Sequence, residues 1–362
     1  MSGKRPVILF LDQPLDPPGG GQISLLSILK ALDRNRFDSN VFLSRDGAFR
    51  NLLTTNGLSV SVMPLLRLYW SIRKLRPDII HCNSAATKYT LISALSSKLL
   101  KIPFIWHVRV DVSAGWKDRV IAAIASKIIV NSEFVKNRRF ETNEFVKITR
   151  VYNAVDTEIF KPGIETEYLR NEFKIPADSP VIGVFSRFDS WKGHILFMQS
   201  AKIVHARNNK VCFLLTGEGK EKDELLRTAK ELGISGNAVF TGYRNDVPAL
   251  MNLCSAIVCP SITPEPFGRI AIEGMACGKP VIATNMGGHT ETIISDVDGI
   301  LTKPDPISLS GDISRILSDT QLSNVLSSNG RKKAVSVFSV NNHVRLIENI
   351  YEEILALSGT EY

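Results

Sequence analysis

The sequence has little that would carry it across a membrane. Its best early apolar run, Val7-Ile8-Leu9-Phe10-Leu11, stops at Asp12, far short of the roughly 18 apolar residues that a spanning helix needs. Lys4 and Arg5 precede only that short run, and no small-residue cleavage site follows, so no signal peptide is expected. Cysteine is scarce as well. Cys82, Cys212, Cys254, Cys259 and Cys277 are an odd number without C-x-x-C spacing, which excludes a complete disulfide framework and a recognisable zinc site. Several lie in apolar runs such as Val211-Cys212-Phe213-Leu214-Leu215, where a reduced thiol acts as a small hydrophobe. Reduced cysteines place the chain in the cytoplasm. There is no short-period repeat, no low-complexity segment and no recognised nucleic-acid motif.

What is present is a folded protein's composition. Of 362 residues, 44% are hydrophobic and 22% charged, enough for two domains of roughly 150 residues each. The net charge of +8 is unevenly placed. Residues 1–172 hold 25 lysines and arginines against 16 acidic residues, a balance of +9, and the remainder hold 19 against 20. A basic first half suits an anionic partner, whether a membrane surface, a phosphorylated acceptor or nucleic acid, and equally suits mere solubility.

Apolar strand patterns alternate with helical ones. Residues 7–11 lead through a turn-rich stretch to a helical pattern at Ile23, Leu25, Leu26, Ile28, Leu29 and Leu32. The unit recurs at 40–43, 78–81, 104–107 and 127–130, the last followed by a helix from Ser132. A polar stretch from Asn153 to Pro176 interrupts it, and a fresh alternation starts with 181–186, 211–216, 238–242, 256–260 and 280–284. The pattern predicts parallel sheets covered on both faces, in two successive α/β units joined by a linker near 160–176.

Three places carry candidate chemistry. The first loop, Asp16-Pro17-Pro18-Gly19-Gly20-Gly21-Gln22, joins a strand to a helix. Its glycines would let backbone amides meet an anion, or would serve a tight turn. Past the strand at 181–185 stand Arg187 and Lys192, in Ser-Arg-Phe-Asp-Ser-Trp-Lys-Gly. Two cations there suit a diphosphate at an α/β ligand crevice, although solvated surface charges are commoner. The third is Pro264-Glu265-Pro266-Phe267-Gly268-Arg269-Ile270-Ala271-Ile272-Glu273. Pro266 and Gly268 suit the start of a helix whose free amides bind phosphate. Glu265 then precedes the helix and Glu273 lies on its second turn, two carboxylates suited to sugar hydroxyls or to a cap and a surface charge.

As an ordered set these motifs resemble the family 4 glycosyltransferases, retaining enzymes of the GT-B fold. The resemblance covers nearly the whole chain. It runs from the glycine loop through Asn131-Ser132-Glu133, Val151-Tyr152-Asn153-Ala154-Val155-Asp156 and Arg187 with Lys192-Gly193. It continues through Thr216-Gly217-Glu218-Gly219 and Thr241-Gly242-Tyr243-Arg244-Asn245-Asp246 to the Glu265/Glu273 pair and Gly287-Gly288. Ala154 stands where the family often has glycine, and Gly274 where it often has alanine. Neither removes a functional group.

The resemblance implies two Rossmann-like, doubly wound parallel-sheet domains facing a central cleft. Residues 1–165 would bind the acceptor and 173–342 the nucleotide sugar, with a C-terminal helix at about 343–362 packing back on the first. The implied reaction moves a sugar, with retention, from a UDP- or GDP-sugar to a glycan or lipid-linked acceptor in cell-envelope polysaccharide or glycolipid synthesis. Arg187 and Lys192 would bind the pyrophosphate, helped by the amides of Phe267, Gly268, Arg269 and Ile270. Glu273 would hold the ribose and Glu265 the transferred sugar. Gly217, Tyr243 and Arg244 would frame the base, and Gly19 and Gly20 would reach the phosphate or acceptor. His107 would hydrogen-bond the donor sugar, with Arg109 pointing into the same cleft.

No cofactor beyond the nucleotide-sugar substrate, no tightly bound metal and no nucleic-acid partner is implied, the cations standing in for Mg²⁺. A sugar phosphorylase would need a lysine-bound pyridoxal cofactor, the order of motifs disfavours an epimerase, and a degenerate scaffold would have lost Glu265, Arg187 or Lys192. All three are present.

Residues 65–76 place Leu65, Leu68, Ile72 and Leu75 on one helical stripe, with Arg67, Arg73, Lys74 and Arg76 for charge and Tyr69 and Trp70 suited to an interface. A sheet-covering helix would carry the same stripe. In either case the basic face allows salt-sensitive, peripheral attachment to the cytoplasmic face of an anionic membrane.

Overall fold

A computed structural model describes residues 5–16, 18–140 and 146–357. Lys4, Pro17 of the glycine loop and the last five residues of the expected C-terminal helix lie outside the described residues. The chain divides into two compact units, residues 1–154 with 340–362, and residues 155–339.

In the first unit β1 (Val7–Asp12), β2 (Asp38–Leu43), β3 (Val60–Val62), β4 (Ile79–Cys82), β5 (Phe104–Val108), β6 (Lys127–Val130) and β7 (Ile148–Arg150) form one parallel sheet. Its order is β3-β2-β1-β4-β5-β6-β7. The central strands β4 and β5 are buried at every residue, and hence are continuous apolar runs rather than alternating ones. One face is covered by α1 (Gly20–Ala31), α2 (Ala48–Thr55) and the C-terminal helix, Val340–Leu357, through Leu25, Leu29, Phe49, Ile347 and Tyr351. The other is covered by α3 (Leu65–Leu75), α4 (Lys88–Leu100), α5 (Trp116–Ile124) and α6 (Glu133–Arg139), through Leu68, Ile72, Tyr89, Ile121 and Val135. The apolar stripe of α3 is thus a sheet-covering one. Thr87 and Ser132 cap α4 and α6 by accepting from Thr90 N and Val135 N.

The second unit opens with α7 (Glu167–Phe173) and builds a parallel sheet from β8 (Val181–Phe185), β9 (Cys212–Thr216), β10 (Ala238–Gly242), β11 (Ala256–Cys259), β12 (Val281–Thr284) and β13 (Ile300–Thr302). The order is β10-β9-β8-β11-β12-β13. Its helices are α8 (His194–Arg207), α9 (Lys222–Glu231), α10 (Val247–Leu253), α11 (Arg269–Ala276), α12 (His289–Thr292), α13 (Pro306–Ser318) and α14 (Thr320–Ser336).

The stretch expected as a linker near 160–176 belongs to this unit, which starts at Val155 rather than near 173. Backbone bonding explains the shift. Val155 N donates to Phe338 O at 2.8 Å, and Arg331 donates to the carbonyls of Phe160 and Ala276 at 3.0 and 2.7 Å.

Both sheets reverse their order once, between β1 and β4 and between β8 and β11. Ligands of open parallel sheets bind beyond the carboxyl ends of the strands at such a reversal.

Candidate active site

Lys192 and Glu265 meet at the reversal of the second sheet. Lys192 ends the 3-10 turn that follows β8, and Glu265 stands in the loop that follows β11. The ammonium donates to Glu265 Oε1 at 2.8 Å, and Ser261 Oγ donates to the same oxygen at 2.5 Å. Lys192 Nζ also lies 4.0 Å over the Trp191 ring. Burial opposes the charged form of Glu265, but the Lys192 charge, His289 and the two hydrogen bonds outweigh it and hold the carboxyl below its ordinary value. The Lys192 ammonium has three N–H donors, so the pair leaves it further hydrogen-bonding capacity.

Gly268 caps α11 in a left-handed conformation, φ +88°, and a Cβ there would lie 2.3 Å from the His289 ring. Only glycine fits. The amide-bearing turn through Phe267, Gly268, Arg269 and Ile270 thereby sits at the start of α11, with Phe267 buried. Glu273, on the second turn, is buried and accepts from Arg269 at 2.7 Å. Burial raises its pKa despite the Arg269 charge.

The remaining candidates of this unit are less closely gathered. Arg187 follows β8, is 71% exposed and pairs with Asp189 at 2.9 Å. Gly217 follows β9, and Tyr243 follows β10 with 75% exposure. Arg244 donates to Glu172 at 2.6 Å and Asp246 at 2.7 Å, clasping α7 to the start of α10, and these hydrogen bonds to both carboxylates raise its pKa further.

In the first unit a buried polar chain runs across the carboxyl ends of β1, β4 and β5. Asp12 accepts from Gln22 Nε2 at 3.0 Å and Asn83 Nδ2 at 2.7 Å. Arg109 Nε donates to Asn83 Oδ1 at 2.7 Å, and its NH1 donates to Asn153 Oδ1. Gly19 N donates to Gln22 Oε1 at 3.0 Å, so the glycine loop is tied to the same chain at the start of α1, where Gly20 is the first helical residue. His107 is buried within β5, its Nδ1 3.0 Å from His81 Nε2.

Sequence reasoning missed Ser261, Asp12, Asn83 and His81, which are isolated polar residues with no periodic signal. It also passed over an acidic triplet, Asp296-Val297-Asp298. Both carboxylates are committed internally, Asp296 to Arg315 at 2.6 Å and Asp298 to Lys333 at 2.8 Å. Among the described residues no group of three or more His, Cys, Asp or Glu side chains is placed to hold a metal ion, and no helix is long and apolar enough to cross a membrane.

Residues 165–333 match the family described as Glycosyl transferases group 1, and residues 18–159 match Glycosyltransferase Family 4. The chain belongs to these glycosyltransferases. HepE of Anabaena in complex with UDP is similar over 96% of this chain and 99% of its own, at 29% identity and a TM-score of 0.85. HepE has also been solved with UDP-glucose. The UDP-Gal:alpha-D-GlcNAc-diphosphoundecaprenol alpha-1,3-galactosyltransferase of Escherichia coli is 22% identical over 93% of this chain and 94% of its own. The capsular polysaccharide biosynthesis glycosyltransferase CapM of Staphylococcus aureus is 26% identical over 80% of each. The fold expected from the motifs is therefore borne out: this glycosyltransferase has the two parallel-sheet α/β units of GT-B proteins.

Proposed function

We propose that the protein is a retaining glycosyltransferase that moves a sugar from a UDP- or GDP-sugar onto a glycan or lipid-linked acceptor in cell-envelope polysaccharide or glycolipid synthesis. The observation that carries this reading is the Lys192–Glu265 pair at the reversal between β8 and β11. A cation and a carboxylate held there suit the two ends of a nucleotide sugar, phosphate and hydroxyls. The UDP and UDP-glucose complexes of HepE and the named acceptor of the Escherichia coli relative agree in substrate class.

In this reading Lys192, Arg187 and the amides of residues 267–270 take the diphosphate, and Glu273 takes the ribose. Glu265 takes the transferred sugar, and in the first unit His107 offers a donor to a sugar hydroxyl. Tyr243 and Gly217 border the base, while Gly19 and Gly20 approach the phosphate or acceptor. The bond between the anomeric carbon and the phosphate oxygen breaks, and the acceptor oxygen bonds to that carbon on the same face. The acceptor's proton passes to the leaving phosphate oxygen. Negative charge grows on the diphosphate, and Lys192, Arg187 and the α11 amides stabilise it where it develops, without a divalent cation. Attachment to the cytoplasmic face of an anionic membrane, through exposed cations of the first unit, brings lipid-linked acceptors within reach.

A thermal-shift screen of nucleoside diphosphates, followed by hydrolysis of the corresponding sugar donors with and without chelator, tests the reading. A shift with UDP or GDP and slow donor hydrolysis is expected. No shift with any nucleotide and no hydrolysis would refute it.

A further inference from the structure

The buried histidines of the first unit form a directed hydrogen-bond chain. The Tyr351 hydroxyl, on the C-terminal helix, lies 2.5 Å from His81 Nδ1, and His81 Nε2 lies 3.0 Å from His107 Nδ1. The Arg109 guanidinium approaches that same His107 Nδ1 at 3.4 Å. A guanidinium can only donate. His107 Nδ1 is therefore the acceptor, the ring proton sits on Nε2, and His81 donates from its own Nε2. His81 Nδ1 is then free to accept the Tyr351 proton. The reverse assignment would aim an N–H at Arg109's donors and turn an N–H of His81 toward the Tyr351 hydroxyl, so that the phenolic proton could no longer go to His81 Nδ1.

His107 Nε2 is buried and has no hydrogen-bond partner among the described residues. An unmet buried donor calls for an explanation, and a ligand oxygen supplies one. Burial first, then the Arg109 charge, depresses His81 to about 3 and His107 well below the ordinary histidine value. His343, whose ring centroid is 6.3 Å from that of His107, is depressed to about 3 for the same reasons. All three rings are thus neutral at neutral pH, and the network sets a tautomer rather than a charge.

We infer that Tyr351 and His81, through contacts shorter than the 3.4 Å approach of Arg109, are positioning residues that complete the lock on His107 as an Nε2–H donor for a sugar hydroxyl oxygen. The inference rests on the functional reading above for its ligand and on geometry alone for the lock. It also gives the C-terminal helix a role in chemistry, since Tyr351 starts the chain.

The protein has six histidines, few enough for long-range ¹H–¹⁵N correlation on ¹⁵N-histidine-labelled protein to assign each tautomer. The expected wild-type result is His107 protonated on Nε2. Tyr351→Phe keeps the ring and removes the donor. It leaves only the longer Arg109 approach to direct the proton, so it should move His107 toward a tautomer mixture and lower kcat for donor hydrolysis about five- to tenfold, the worth of one hydrogen bond, with KM within twofold. His81→Gln keeps an N–H for His107 Nδ1 and should retain the tautomer, whereas His81→Leu should lose it. This second pair carries the test if Tyr351→Phe fails to fold. His107 found as the Nδ1–H tautomer, or unchanged in both Tyr351→Phe and His81→Leu, would overturn the inference. Absence of all donor hydrolysis, with the tautomer present and responding as stated, supports the lock and counts against the functional reading instead.

Discussion

Lys192 and Glu265 are 73 residues apart in the chain and 2.8 Å apart in space. Each is carried past the end of a central strand, β8 and β11, and the reversal of strand order between those strands brings the two loops together. The sequence reading assigned one to phosphate and the other to sugar. Their pairing adds that the Lys192 charge helps to hold the buried Glu265 carboxyl below its ordinary value.

Lys192→Ala should lower kcat by about 100-fold or more, as removal of one donor to developing charge does. It also leaves Glu265 buried without its main counter-charge, so the carboxyl should titrate higher than in the wild type. Steady-state kinetics across pH check both effects. A rate within twofold of wild type would mean that the lysine serves only as a counter-ion.

Glu273→Ala and Glu265→Ala should separate kinetically. In the proposed reading Glu273 holds a ribose that is bound alike in ground and transition states, so its loss should raise KM about tenfold with kcat little changed. The same reading gives Glu265 the reacting sugar, so its loss should fall mainly on kcat. Initial rates over a range of donor concentration distinguish them, and equal efficiency of both variants with wild type would remove the functional reading of the pair.

The strands, the two-unit division and the ordered motifs were legible because they repeat: apolar runs buried on both faces read the same wherever they occur. Short edge strands did not. β3, β7 and β13 have three residues each, too few to show a pattern. The unit boundary was misplaced because a polar stretch resembles a linker until its carbonyls are seen bonded to Arg331. Within the site, Glu265 and Lys192 were found by motif. Ser261, His81 and Asn83 were not, because their partners are set by tertiary approach and no spacing announces them. Arg244 shows the converse, a motif cation whose donors go to Glu172 and Asp246.

Gly193 follows Lys192 with φ +73°, and a Cβ there would lie 1.9 Å from the Pro260 carbonyl oxygen. Gly193→Ala should therefore cost roughly 3 kcal/mol or more through clash and strain together. Gly233, at φ +72° with nothing within 4 Å of a built Cβ, isolates the strain, and Gly233→Ala should cost only about 1 kcal/mol. Urea titration of the two variants makes the comparison. Equal losses would show that the close approach to Pro260 is easily relieved.

Asp12 is fully buried, and burial pushes its pKa up to about 6 from the ordinary 3.8 against the pull of Asn83, Gln22 and Arg109. The folded protein thus binds this proton more tightly than the unfolded chain does. The contribution of Asp12 to stability is largest below pH 4, declines as pH rises to about 6, and is constant above. The rise from 3.8 to about 6 corresponds to about 3 kcal/mol. Asp12→Asn does not titrate, so the stability of wild type minus that of the variant should fall between pH 4 and 6 and then level off. Thermal melts over that range measure it, and a difference that rises with pH would contradict the assignment.

The last expectation concerns the membrane. In α3, Leu68 and Ile72 are buried against the sheet, so they are unavailable to lipid. Leu66 and Trp70, four residues apart and so neighbours on the helix surface, are 93% and 63% exposed. Arg67, Arg73 and Lys74 are exposed around them, and Arg73 lies 5.3 Å over the Trp70 ring. Such a face offers an apolar anchor within a cationic rim, and each cation near an anionic surface contributes about 1 kcal/mol, screened by salt. The protein should co-sediment with vesicles containing phosphatidylserine at low salt and be released at high salt. Replacing Arg67, Arg73 and Lys74 together with glutamine should abolish the salt-sensitive part, while Trp70→Ala should weaken binding at both salts. None of these positions belongs to the sugar-transfer site, so activity on a soluble acceptor should be unchanged. Vesicle binding that is absent at low salt, in protein fully active on a soluble acceptor, would show that this face has no membrane role.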